Sequence, residues 1–169
     1  EVINKFGADC VRFYFYTLNP AAEPKRFNFK DVQSLYRKFF DTLWQSYSFF
    51  SIYNPEKKGA KLPASAGSLA PFGSLPDNVL NRWIISRLES LNLKVIENLD
   101  KYDVISAARL FLDFVDDLSN WYIRRSRQRF RDSDKQAAKT LYYVLLKGAK
   151  LFSPFTPFFA EELYQHLGG

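Results

Sequence analysis

The chain has 169 residues, 47% of them hydrophobic and 18% aromatic, which is enough apolar material to close a core of its own. Its 24 Lys+Arg against 18 Asp+Glu leave a net charge of +6, a balance that favours anionic partners such as nucleic acid. The single cysteine, Cys10, excludes an internal disulfide and a multi-thiolate metal site, and no apolar run is long enough to span a bilayer, so a cytoplasmic protein with no membrane partner is expected. The sequence holds no methionine, even at its start, which points to a longer parent.

In chain order, Gly7 is expected to separate a turn of helix from an apolar one, CVRFYFYTL. From Phe29 to Tyr53 the apolar residues Val32, Leu35, Tyr36, Phe39, Phe40, Leu43, Trp44, Tyr47 and Phe50 recur at helical spacing. Arg37, Lys38, Asp41, Gln45 and Ser48 fall on the opposite face. Residues 54–76 carry four prolines and three glycines and read as a surface insertion. A second helix is expected from an Asp77 cap to Leu99, burying Leu80, Ile84, Leu88, Leu91 and Val95. The third begins near Asp103, ends near Phe130, and buries Ala107, Phe111, Phe114, Val115, Leu118 and Trp121. Trp83 is assigned to the core as well. A fourth runs from Asp134 to Phe152, with Gly148 admitting a close neighbour. Thr156 as cap and Pro157 in the first helical position announce the fifth. Helical periodicity almost throughout, with no period-two run, predicts an all-α helical bundle.

Catalytic machinery is missing from this pattern. The only histidine, His166, stands three residues from the end of the sequence, and no phosphate-binding glycine loop, dinucleotide fingerprint or H-E-x-x-H motif is present. No catalytic residue and no metal ligand are therefore assigned. Asp113, Asp116 and Asp117 fall on the polar side of their helix, where the dipole favours them near its acidic first half.

The stretch LSNWYIRRSRQRFRD, Leu118 to Asp132, concentrates five arginines. A solvated helix end is one reading, and a handle for phosphates is the other. On a helix advancing about 100° per residue, Arg124, Arg127 and Arg131 fall opposite the apolar arc, whereas Arg125 and Arg129 fall in line with it. The first three suit phosphates, with aromatics such as Trp44 and Tyr47 available to stack on a splayed RNA loop. Arg125 and Arg129 are expected to lay their stems over the end of the core and pair locally.

The segments FGADCVRFYF, LYRKFFDTLWQSYSFF, LNRWIISRLESL, FVDDLSNWYIRRSRQRF and LFSPFTPFFAEELYQHL follow in this order. Together they resemble the part of isoleucyl-tRNA synthetases that follows the catalytic KMSKS loop. The resemblance covers nearly the whole chain except 54–76, and the wording argues for isoleucine over valyl- and leucyl-tRNA synthetases, which share the architecture. It implies an anticodon-binding helical bundle of the class I aminoacyl-tRNA synthetase type at 28–169, with 1–27 linking it to a catalytic domain. The implied partners are an isoleucine-accepting tRNA and the catalytic, editing and C-terminal domains of the parent. The signatures that hold ATP are absent, so ATP and Mg belong to the parent's catalytic domain and no cofactor is expected here. The implied tRNA-binding set is Arg124, Arg127, Arg131, Gln45, Trp44, Arg37 and Lys38. Gln45 stands where the family has asparagine, and Arg131 where it has tryptophan. A basic helical module that docks acidic protein surfaces is the alternative of another class.

Overall fold

The computed structural model describes residues 1–18, 23–24, 26–53 and 78–168; the predicted insertion at 54–76 and the Asp77 cap lie outside them. Every regular element within them is helical: α1 (Val2–Phe6), α2 (Ala8–Thr17), α3 (Phe29–Leu35), α4 (Thr42–Tyr53), α5 (Val79–Asp100), α6 (Val104–Asp116), α7 (Arg124–Arg131), α8 (Lys135–Phe152) and α9 (Pro157–His166). Two π-helical turns, π1 (Tyr36–Asp41) and π2 (Asp117–Ile123), join α3 to α4 and α6 to α7 without a break. The all-α expectation is borne out, and none of these helices is long and apolar enough to cross a membrane.

The helices begin where side chains satisfy their free amides. Asn28 accepts from the Lys30 amide, Asn78 from Leu80, Asp103 from Ser106, and Asp134 from Gln136 and Ala137. Asn78 thus caps the helix that was expected to start from Asp77. Helix α9 is capped differently. Thr156 occupies the cap position, but its hydroxyl donates to the Phe152 carbonyl at 3.3 Å and caps nothing. Asp9 of α2 does the work instead, accepting from the Phe159 amide at 2.7 Å across 150 positions of sequence. A tertiary contact has replaced the expected local one.

Gly7 holds φ at 83°, where a side chain would be strained, and so turns the chain between α1 and α2. Gly148 serves its own helix rather than a neighbour, because a Cβ there would sit 3.2 Å from the Phe152 ring one turn on. In the core α5 packs on α6 and α8, α8 on α9, and α2 on α6. Phe13 approaches Phe39 with centroids 4.6 Å apart, Phe39 approaches Phe152 at 5.3 Å, and Phe152 approaches Phe111 at 4.9 Å. These offset and edge-on rings lock α2, π1, α6 and α8 together. Cys10 is buried with them, and burial pushes its thiol up to about 12, as suits a small hydrophobe rather than a nucleophile.

Turn π2 decides how the arginine run is presented. A π turn advances by roughly 80° per residue instead of 100°, so Tyr122 and Ile123, not Trp121, follow Leu118 inward. Tyr122 is 0% exposed, whereas Trp121 is 47% exposed. The expected burial of Trp121 is therefore corrected, and the cause is the wider turn. Trp83 is only partly buried, packed against the core edge with its ring 6.3 Å from that of Trp121.

Candidate nucleic-acid interface

Beyond π2 the arginines occupy distinct environments. Arg129 turns inward, donating from Nε to Asp134 at 2.9 Å and from Nη1 to the Asn81 side-chain oxygen at 2.9 Å. Asn81 is fully buried, and the Tyr122 hydroxyl is shared between its oxygen at 3.0 Å and the Ala137 carbonyl at 3.2 Å. Burial opposes ionisation of Asp134, but hydrogen bonds from the Ala137 amide and the Arg129 side chain, and the charge of that guanidinium, hold its carboxyl below the usual carboxylate range. Burial pushes the Tyr122 phenol up, so it stays a neutral donor. Arg129 is paired locally, as expected. Arg125 is not over the end of the core; its guanidinium lies over the exposed Trp121 ring, 3.9 Å from the centroid.

Arg124 and Arg127 are exposed and line a cleft of about 460 Å³ between α4 and the π2–α7 helix. Gln45, Ser48, Phe49 and Ile52 form one wall, and Ser119, Asn120 and Ile123 continue the other. Phe49 stands edge-on to Phe130 with centroids 5.0 Å apart, which fixes α4 against α7 and sets the width of the opening. Among the described residues no carboxylate is paired with Arg124 or Arg127. The cleft is therefore lined by two guanidiniums, by amides and hydroxyls, and by the apolar side chains of Phe49, Ile52 and Ile123.

The structure thus brings Gln45, Arg124 and Arg127 together. Arg37, Lys38 and Arg131 are exposed on the same helices, but they are not among the residues that line this cleft. Trp44 lies elsewhere. It is half-buried, with its ring 5.2 Å from Tyr47, 6.3 Å from Phe159 and 5.5 Å from His166, and it borders a separate opening of about 530 Å³ with Asp9 and Glu162. His166 contacts Glu162, one turn back on the same helix, at 3.0 Å. Asp117 receives the Arg87 Nε at 2.8 Å and Asp116 the Asn120 amide at 2.6 Å. Among the described residues no group of His, Cys, Asp and Glu could hold a metal ion.

The sequence reading missed Phe49, Ile52, Ser119 and Asn120 as cleft residues. A signal was present, because Gln45, Ser48, Phe49 and Ile52 stand at i, i+3, i+4 and i+7 and share one face of α4. What was lacking is the knowledge of which helix that face meets.

A family model described as the anticodon-binding domain of tRNA ligase matches residues 81–169. The isoleucine–tRNA ligase of Dehalococcoides mccartyi is 45% identical over 98% of this chain and 16% of its own length. The isoleucine–tRNA ligases of Clostridium novyi and Thermus thermophilus are 42% and 40% identical, each over 99% of this chain and 16% of theirs. This chain therefore spans only 16% of the length of these relatives. A chain from the crystal structure of an Agrobacterium radiobacter LeuRS–tRNA–LeuAMS ternary complex superposes with a TM-score of 0.69, over 99% of this chain and 19% of that one, at 17% identity, a likeness of fold. With the matched model covering more than half of its residues, the chain belongs to the anticodon-binding domain family of tRNA ligases.

Proposed function

We propose that this chain is the tRNA-binding part of an isoleucine–tRNA ligase and that it grips the anticodon stem and loop through the cleft of Gln45, Arg124 and Arg127. The observation that carries the reading is that two guanidiniums with no paired carboxylate among the described residues share one opening with an amide, in a member of this family. A guanidinium can fork onto a phosphate with two parallel hydrogen bonds. The mixed polar and apolar lining suits a loop base splayed out of its stack, whose edge the Gln45 amide can both donate to and accept from. Arg131, Arg37 and Lys38 would add charge along the strand's path. In this reading ligation, with its ATP and Mg, takes place in other domains of a cytoplasmic parent, and this chain supplies recognition.

The test is binding of an isoleucine-accepting tRNA, another tRNA and unstructured RNA across a salt series. Affinity should fall log-linearly with salt and favour the isoleucine acceptor. Arg124→Gln and Arg127→Gln should each lower the slope of log K against log salt by about one unit. Binding that ignores salt, or that does not distinguish tRNA from unstructured RNA, would favour a protein-docking surface.

A further inference from the structure

We infer that Trp121 and Arg125 form a second RNA contact, a ledge on which one unpaired nucleobase stacks while the neighbouring phosphates lie at Arg124 and Arg127. This rests on the RNA-binding reading above and adds a residue pair to it. A tryptophan left 47% exposed beside a fully buried Tyr122 is apolar surface turned towards solvent by π2. Among the described residues, the Arg125 guanidinium lies over the ring, 3.9 Å from its centroid, and the tilted Trp83 ring stands beside it with centroids 6.3 Å apart. Two delocalised planes are thus already stacked at the surface. A nucleobase can extend such a stack irrespective of its identity, since every base has a π face.

The electrostatic surroundings admit a strand. Arg124 is exposed three positions on from Trp121 and Arg82 is exposed beside Trp83 in the sequence, while the carboxylates one turn back are engaged, Asp117 by Arg87 at 2.8 Å and Asp116 by Asn120 at 2.6 Å. Trp121 and Arg125, four positions apart, share a flank of the π2–α7 helix, and Arg124 lies between that flank and the cleft. An RNA crossing the outer ridge of this helix, about 10–12 Å wide, meets first phosphate-binding guanidiniums and then the ledge. Duplex RNA cannot use it, because a paired base is not free to leave its own stack.

The experiment uses the 169-residue chain and an RNA hairpin with an unpaired loop, the same hairpin carrying abasic loop positions, and duplex RNA. Trp121→Ala should weaken hairpin binding about tenfold, in the range expected for one stacked base. It should leave the melting temperature and the salt slope nearly unchanged. Trp121→Phe should restore most of the affinity while removing most of the fluorescence quenching that the hairpin causes in the wild type. The abasic hairpin should bind wild type and Trp121→Ala alike. If Trp121→Ala binds as wild type while Arg124→Gln and Arg127→Gln lose affinity, the ledge is refuted and the RNA reading stands. If all three bind as wild type, the RNA reading falls with it. Loss of affinity that tracks loss of melting temperature, and that Phe does not restore, would make Trp121 a structural residue and overturn the proposal.

Discussion

Arg129 and the pair Arg124 and Arg127 belong to the same short helix, yet they stand in opposite situations. Around Arg129, Asn81, Tyr122 and Asp134 from α5, π2 and the start of α8 close a knot in which each guanidinium nitrogen has a partner. Beside the cleft, Arg124 and Arg127 share their opening with uncharged groups, and among the described residues no carboxylate is paired with either. A charge count would score all of them alike. The difference teaches that the partner a cation finds on another helix, rather than its density in sequence, decides whether it is tied into the fold.

The largest effect should come from the knot's centre. Tyr122→Ala removes a fully buried ring and a shared hydroxyl, and a loss of about 3–5 kcal/mol in denaturant unfolding is expected. A loss near 1 kcal/mol would mean that π2 is less firmly registered than its burial indicates. Arg129→Ala should come next, at about 2–3 kcal/mol, because it leaves the Asp134 carboxylate without its cation and takes from the buried Asn81 oxygen one of its two donors. Its folded fraction should keep the wild-type salt slope for RNA. A reduced slope would break the division between knot and cleft.

Acid should reveal the knot and not the cleft. The Asp134 carboxyl is held below its ordinary value in the fold, so its contribution is fully present above the unfolded value near 4 and is lost as pH falls through the lower folded value. Wild-type stability should therefore decline more steeply than that of Asp134→Asn as pH drops below about 4. Parallel curves would remove Asp134 from the knot. The smallest change in stability is expected of Trp121→Ala, below about 1 kcal/mol, since an exposed ring with one stacked arginine holds little of the core. A loss as large as that of Tyr122→Ala would show that π2 had been placed a residue out of register.

Much of this molecule is legible locally. Ile84, Leu88, Leu91 and Val95 of α5, Ala107, Phe111, Phe114 and Val115 of α6, and Leu141, Leu145 and Phe152 of α8 face inward at the spacing the periodicity demands, and Asp103 and Asp134 cap where they stand, because both effects act within one or two turns. The stripe across π1 survives an irregular turn because Phe39 and Phe40 are adjacent, so a shifted register still presents a ring to the core. The stretch across π2 offers the adjacent Trp121 and Tyr122 as well, but there a uniform projection leaves Trp121 only about 60° from Leu118, within the inward arc, whereas the wider turn carries it about 120° away. Of the cleft, Arg124, Arg127 and Gln45 were readable as exposed polar positions, while Phe49, Ile52, Ser119 and Asn120 were not.

Composition and periodicity by themselves determined that the chain is a helical bundle with a basic stretch on one helix, since each is a sum over neighbours along the chain. Only the tertiary structure decided that Asp9 caps α9 across 150 positions, that Asn81 and Asp134 capture Arg129, and that Trp44 and Gln45, one residue apart, border different openings. Those outcomes depend on which helices meet. Side chains distant in sequence compete for the same hydrogen-bonding and packing partners only once the core has closed and brought them within reach.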